Sequence, residues 1–131
     1  MSEIDRTWLR ELMSRELATF REGNPRSFEI FERARGSLLD GVPMNWMVRW
    51  PGEFPVYVDE AHGARFTDVD GHEYVDLCLG DTGAMAGHSP EPVVRTVSER
   101  SAKGITTMLP NEDAGWVGEE LARRFGLPLW Q

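Results

Sequence analysis

Between residues 55 and 79 the chain is cut into three short segments by glycine and aspartate. Gly63 divides the first two, and Asp68-Val69-Asp70-Gly71 divides the second from the third. Pro55 to Asp59 and Ala64 to Asp68 alternate apolar and polar residues, and His72 to Leu79 carries Tyr74, Val75, Leu77, Cys78 and Leu79. Alternation at period two between turn signals predicts strands. Three such segments in succession predict a small antiparallel meander. A sheet of that size is marginal in water unless something covers it, so the rest of the chain must supply a cover or find one.

Helical patterns flank the meander. Trp8, Leu9, Leu12, Met13, Leu17 and Phe20 recur at helical spacing, which predicts a helix over residues 5–22 capped by Ser2 or Asp5 and ended by Gly23. Asn24-Pro25 predicts a restart, with Asn as N-cap and Pro in the first helical position. Phe28, Phe31, Ala34 and Leu38 form its apolar stripe, and Asp40-Gly41 stops it. Downstream, Ser89-Pro90 opens a helix carrying Val93, Val94, Val97 and Ala102 that Gly104 ends. Asn111 caps a last helix with Trp116, Val117, Leu121 and Phe125, in which Glu119–Arg123 and Glu120–Arg124 are favourable i,i+4 pairs. The closing residues, Gly126 to Gln131, read as a helix stop followed by the approach to a further strand. That pattern predicts the front section of a larger fold.

Residues 41–54 hold Pro43, Met44, Trp46, Met47, Trp50, Pro51 and Phe54. A solvated loop does not carry so many large apolar groups, so this one is expected to pack on a surface. The expected organisation is a helical segment over 1–40, a loop and meander over 41–79, and a helical part over 80–131.

Composition excludes several functions. The 131 residues carry 14 basic and 22 acidic side chains, a net charge of −8, whereas nucleic-acid binding needs a basic footprint. Mean hydropathy is −0.42, and no apolar run approaches the roughly 18 residues of a membrane span. Residues 1–10 lack the apolar core of a secretory signal. Cys78 is the single cysteine, so no internal disulfide forms and a reduced, cytoplasmic setting is expected.

Few side chains offer chemistry. The run Gly80 to Gly87 leads into a helix, as phosphate cradles do. It matches neither G-x-G-x-x-G nor the P-loop spacing, and a close-packed turn explains the glycines as well. His62, His72 and His88 are scattered, and no metal site is expected. Among Asp68, Asp70, Asp76 and Asp81, the first two are accounted for by their turn, and no catalytic carboxylate pair follows from spacing. Lys103 is the only lysine and so the only candidate Schiff-base amine, but it falls near a helix end, where a surface cation favours the dipole. Arg49, among Trp46, Met47 and Trp50, is a candidate clamp for a carboxylate. The alternatives are an Arg stacked on Trp or simply solvated.

Together these pieces resemble the class III pyridoxal-phosphate aminotransferases, in the branch that includes glutamate-1-semialdehyde aminomutase. Residues 43–49 (Pro-Met-Asn-Trp-Met-Val-Arg), the run Phe66 to Asp76 with its D-x-D-G-x-x-Y-x-D pattern, Gly87-His88-Ser89-Pro90 and the helix to Lys103-Gly104 carry the likeness, which covers roughly residues 25–131. The resemblance implies an α/β, fold-type I architecture, incomplete here, with N-terminal helices, a small antiparallel meander and the first helices of the large cofactor domain from about Gly80. It implies pyridoxal 5'-phosphate as cofactor, a small amino-acid substrate and a homodimer at full length. The phosphate-binding loop, the Asp that pairs the pyridine nitrogen and the aldimine Lys of the family fall beyond these residues, and Lys103 does not match the last. No catalytic residue is therefore expected here. Arg49 matches an Arg that helps bind the substrate carboxylate, with Trp46 and Met47 lining the same side, and Asp81, Thr82 and Gly83 match a turn that faces the active site near the subunit interface. The aminomutase has an aromatic residue close to the position of Asp81, so the implied activity is a related amino-group transfer between an amino acid, or its semialdehyde, and a keto or aldehyde acceptor. An aminomutase-type isomerase fragment and a non-catalytic interaction module are the alternatives.

Overall fold

A computed structural model describes residues 5–49 and 52–131. The expected cap Ser2 and the loop residues Trp50 and Pro51 lie outside the described residues. The chain falls into two compact units, Met1–Pro90 and Glu91–Gln131.

The first unit begins with α1 (Arg6–Gly23). Asp5 caps it, its Oδ1 accepting from the amides of Thr7 and Trp8 at 2.9 and 3.0 Å. That satisfies two of the amides that a helix start leaves without a partner. Next comes α2 (Pro25–Ala34), with Pro at its start as the sequence predicts. Its cap is different from the one expected. The Asn24 side chain makes no capping bond; its Nδ2 donates back to the Phe20 carbonyl at 2.7 Å. The carboxylate of Asp70, from the turn after the second strand, takes the place instead. It accepts from the Arg26 amide at 2.7 Å, the Ser27 amide at 3.0 Å and the Ser27 hydroxyl at 2.7 Å.

Helix α2 also stops earlier than its stripe predicts, at Ala34 rather than near Asp40. The amides of Gly36 and Ser37 bond carbonyls three residues back, which tightens and ends the coil. A 3-10 turn, Leu39–Gly41, follows, with Gly41 at φ +74. A Cβ there would lie 2.8 Å from both the Phe31 ring and Arg35, so this corner requires glycine. Among the described residues, Val42 and Phe54 are the buried apolar side chains of the unit. Phe54 sits among Phe20, Phe28 and Phe31, with ring centroids 4.9, 5.2 and 6.2 Å away. Thus Phe54 anchors the aromatic-rich loop on the two helices, whereas Met44, Trp46 and Val48 of the same loop stay exposed.

The meander forms in the expected order, β1 (Val58–His62), β2 (Arg65–Asp68) and β3 (Glu73–Val75), with antiparallel neighbours. Ala61 pairs with Phe66, and Phe66 with Tyr74, whose ring stacks at 4.8 Å. A bulge between Val58 and Glu60 interrupts the first ladder. Two boundaries differ from expectation. Pro55 to Tyr57 precede the first strand. The third strand ends at Val75, because Asp76 folds its side chain forward onto the amides of Cys78 and Leu79, at 2.8 and 2.9 Å. That local bond competes with the ladder and wins.

In the second unit α3 (Glu91–Ser101) and α4 (Asp113–Phe125) have no buried residues. Ser89 does not cap α3; its hydroxyl donates to the Ala61 carbonyl at 2.9 Å. Asn111 does serve the start of α4, accepting from the Asp113 amide at 3.1 Å. Gly126 closes α4 in the left-handed conformation, φ +72, with its amide on the Ala122 carbonyl. Of the expected ion pairs, Glu120–Arg124 forms at 2.6 Å, but Arg123 also turns to Glu120, at 2.7 Å, rather than to Glu119. Two guanidinium groups on one carboxylate hold Glu120 at about 2, mainly through the bond from Arg123 and then that from Arg124.

Candidate functional site

The acidic run after β2 is a structural clasp. Asp68 is 1% exposed, and its carboxylate accepts from the amides of Asp70 and His72, from the His72 ring and from the Tyr74 hydroxyl. Burial alone would raise its pKa, but the bonds from His72 and Tyr74 outweigh that and hold it below the ordinary carboxylate range. Tyr74, desolvated and bonded to that carboxylate, is pushed up to about 12. Asp70 is likewise lowered: burial opposes, and the bonds from Ser27 and Arg26 prevail. Both carboxylates, of Asp68 and of Asp70, are engaged with protein on both oxygens, which fits the turn reading.

Trp46 and Met47 lie in a 3-10 turn, Asn45–Val48. Both line a cavity of about 520 Å³ whose walls include Val42, Phe54, Tyr57 and Phe66. The Tyr57 hydroxyl donates to the Gly41 carbonyl at 3.3 Å, and burial raises its pKa. Arg49 is not among the lining residues. It stands exposed at the end of the same turn, its amide bonded to the Trp46 carbonyl, and has no ion-pair partner among the described residues. The structure therefore presents an apolar recess with an exposed guanidinium on the segment that lines it.

Asp81, Thr82 and Gly83 lie in the loop 77–87, remote in sequence from Arg49. Leu79, Gly80, Asp81 and Thr82 all have positive φ, at 55°, 55°, 52° and 79°. Three of these four are not glycine, an uncommon backbone for L residues. Cys78 is exposed, its Sγ 4.0 Å from Asp81 Oδ1. The neck of this loop holds a contact that sequence spacing did not reveal. His88 Nε2 lies 2.6 Å from Asp76 Oδ2. The bond from His88, followed by those from the Leu79 and Cys78 amides, lowers the Asp76 pKa. The signal was present only as the last Asp of one motif and the His of the next, twelve residues apart. Among the described residues, no group of three His, Cys, Asp or Glu could hold a metal ion, and no helix is long and apolar enough to cross a membrane.

No family model matches the chain. Individual relatives do. A glutamate-1-semialdehyde 2,1-aminomutase from Thermoplasma acidophilum is 38% identical over 97 residues, covering 74% of this chain and 23% of that protein. One from Methanocaldococcus jannaschii is 32% identical over 99 residues, covering 76% and 23%. Among solved structures, a glutamate-1-semialdehyde aminomutase from Pseudomonas aeruginosa superposes with a TM-score of 0.87 at 49% identity, over 98% of this chain and 28% of that one. A β-phenylalanine aminotransferase from Variovorax paradoxus gives 0.77 at 25% identity, over 89% and 27%. The chain thus spans about a quarter of the length of the relatives it matches.

Pyridoxal phosphate is the cofactor of this family; a variant of the Pseudomonas protein was solved with PMP, and another similar transaminase with PLP. The described residues do not make a site for it. Lys103, the single lysine, is exposed in the turn after α3, its amide on the Arg100 carbonyl. In the glycine-rich loop the amides of Gly83, Ala84, Met85 and Gly87 are spent on the carbonyls of Gly80, Leu79, Thr82 and Ala84, so they form no anion cradle. The fold is a part of the fold-type I architecture. Matching its N-terminal portion, the chain belongs to the class III pyridoxal-phosphate-dependent aminotransferase family, in the glutamate-1-semialdehyde aminomutase-like branch.

Proposed function

We propose that this chain forms the substrate-side wall of a class III transaminase, which moves an amino group between an amino acid or its semialdehyde and a keto or aldehyde acceptor. The observation that carries this reading is the superposition of 98% of the chain on an aminomutase at 49% identity. Pyridoxal phosphate, held by other parts of such an enzyme, would supply the electron sink for this chemistry. This chain's own residues bind and orient. Arg49 offers two parallel N–H donors to the substrate carboxylate, a geometry that a guanidinium matches and an ammonium does not. Trp46 and Met47 set the apolar surface beside it and limit water there. Asp81, Thr82 and Gly83 approach the substrate from the loop, and residues 80–131 open the large cofactor domain of a homodimeric enzyme. The isolated chain is inactive in this reading, because its one lysine is a surface group.

A second reading is an aminomutase, which returns the amino group to the same carbon skeleton. The identity to the Pseudomonas protein favours it; Asp81, where the resemblance places an aromatic residue in aminomutases, favours intermolecular transfer.

The test is a chimera in which this chain replaces the matching portion of the Pseudomonas protein. Arg49→Ala in that chimera should raise KM for a carboxylate-bearing amino donor about 10- to 100-fold, with kcat less affected, as expected when ground-state binding is lost. An amine lacking a carboxylate should be unaffected. An unchanged KM for both would remove Arg49 from the site.

A further inference from the structure

Residues 77–87 leave the sheet after β3 and return at His88, and both ends are tied to the same hairpin turn. The Asp76 amide donates to the Ala64 carbonyl at 2.9 Å. His88 exchanges two backbone bonds with Gly63, at 3.0 and 2.8 Å. The approach is close: a Cβ on Gly87 would lie 3.2 Å from the Gly63 Cα. Across this neck runs one side-chain bond, His88 Nε2 to Asp76 Oδ2 at 2.6 Å, between side chains only 23% and 12% exposed. The second oxygen of Asp76 accepts from the amides of Cys78 and Leu79. A single carboxylate therefore fixes both the departure of the loop and its return.

The stretch beyond needs such a hold. Leu79, Asp81 and Thr82 occupy a left-handed backbone that non-glycine residues keep only where the surroundings over-determine it. Within the loop that backbone is supported by the Gly83–Gly80, Ala84–Leu79 and Met85–Thr82 bonds.

We infer that Asp76 and His88 are positioning residues, which hold Leu79–Thr82 in its left-handed form and so set how Asp81, Thr82 and Gly83 are presented. What these three residues touch rests on the proposed function; the shape of the loop does not. Asp76, an acceptor, orients the His88 ring through the Nε2 proton, and the ring closes the neck that the Gly63 bridge begins. Removing either partner leaves the Gly63 bridge, the Ser89–Ala61 bond and the loop's own backbone bonds to oppose the strain, without the side-chain tie across the neck.

Amide hydrogen exchange on the whole chain, resolved by NMR, tests this. In His88→Ala the amides of Gly83, Ala84, Met85 and Gly87 should exchange roughly tenfold faster or more, while those of the β1–β2 ladder change less than about twofold. His88→Gln, whose amide can still donate to Asp76, should recover most of the protection. Asp76→Ala should free the Cys78 and Leu79 amides as well, and the double variant should be no worse than Asp76→Ala alone. Unchanged loop exchange in His88→Ala would overturn the inference, as would equal acceleration throughout the sheet or a failure of glutamine to restore the loop. Turnover is not read, so this result and the fate of Arg49 in the chimera are independent.

Discussion

Replacing Asp70 with alanine removes the cap that α2 borrows from a turn more than forty residues away. Three bonds are lost, from the Arg26 amide, the Ser27 amide and the Ser27 hydroxyl, all at 3.0 Å or less. Loss of a helix N-cap costs about 0.5–2 kcal/mol. Ser27 is fully buried, so its orphaned donors add a desolvation cost of about 1–3 kcal/mol, partly offset because its Oγ still accepts from the Tyr57 amide at 3.2 Å. A loss of about 2–3 kcal/mol follows. Asp70→Asn keeps one acceptor and should cost about half as much. Asn24→Ala should cost less than Asp70→Ala, although Asn24 is the residue in the cap position, because its side chain does not cap. Urea titration followed by tryptophan fluorescence gives the comparison. The pH dependence has a fixed sign. The folded pKa of Asp70 is lowered, so its contribution is present above the unfolded value of roughly 4 and is lost as pH falls through the folded one. The gap between wild type and Asp70→Ala should therefore be constant above about pH 5 and close below pH 4. A cost within about 0.5 kcal/mol at neutral pH, the level of an ordinary surface change, would refute the trans-cap.

Two further outcomes are expected. Phe54→Ala should destabilise the first unit by about 3–5 kcal/mol in the same titration, since the ring is 4% exposed and meets three phenylalanines; a loss under about 1 kcal/mol would mean the cluster is not a core. The Glu120 carboxyl, followed by carbon NMR, should titrate at about 2, and in Arg123→Ala it should move toward the ordinary range. Its support of α4 is then present above pH 4.5 and fades as pH falls toward 2; an unshifted midpoint would show that the bidentate contact does not persist in solution.

Local signals were legible in the chain, and long-range ones were not. Asp5, Pro25 and Gly126 act through their immediate neighbours, and each stands where spacing puts it. Asn24 sits in a cap position, yet its side chain turns back to the Phe20 carbonyl four residues earlier, and Ser89, two residues before α3, bonds the distant Ala61 carbonyl. No periodicity encodes those bonds. The third strand is shorter than its pattern for a related reason: Leu77 and Leu79 continue the apolar pattern, but the carboxylate of Asp76 turns the backbone first. At the candidate site, the density of apolar groups in residues 41–54 marks a packing surface, and Trp46 and Met47 are among the residues around the cavity. No sequence pattern marks the Asp76–His88 bond, because only the hairpin at Gly63 brings its two ends together.

The central claim is that this segment contributes a wall to a cofactor enzyme but not the amine that the cofactor bonds. Difference absorbance on titration with pyridoxal phosphate tests it, in the isolated chain and in the chain joined to the remaining portion of the Pseudomonas protein. The joined protein should develop a stoichiometric imine band that Lys103→Ala leaves intact, and the isolated chain should develop none. A stoichiometric band in the isolated chain that Lys103→Ala abolishes, or no band in the joined protein, would contradict the account.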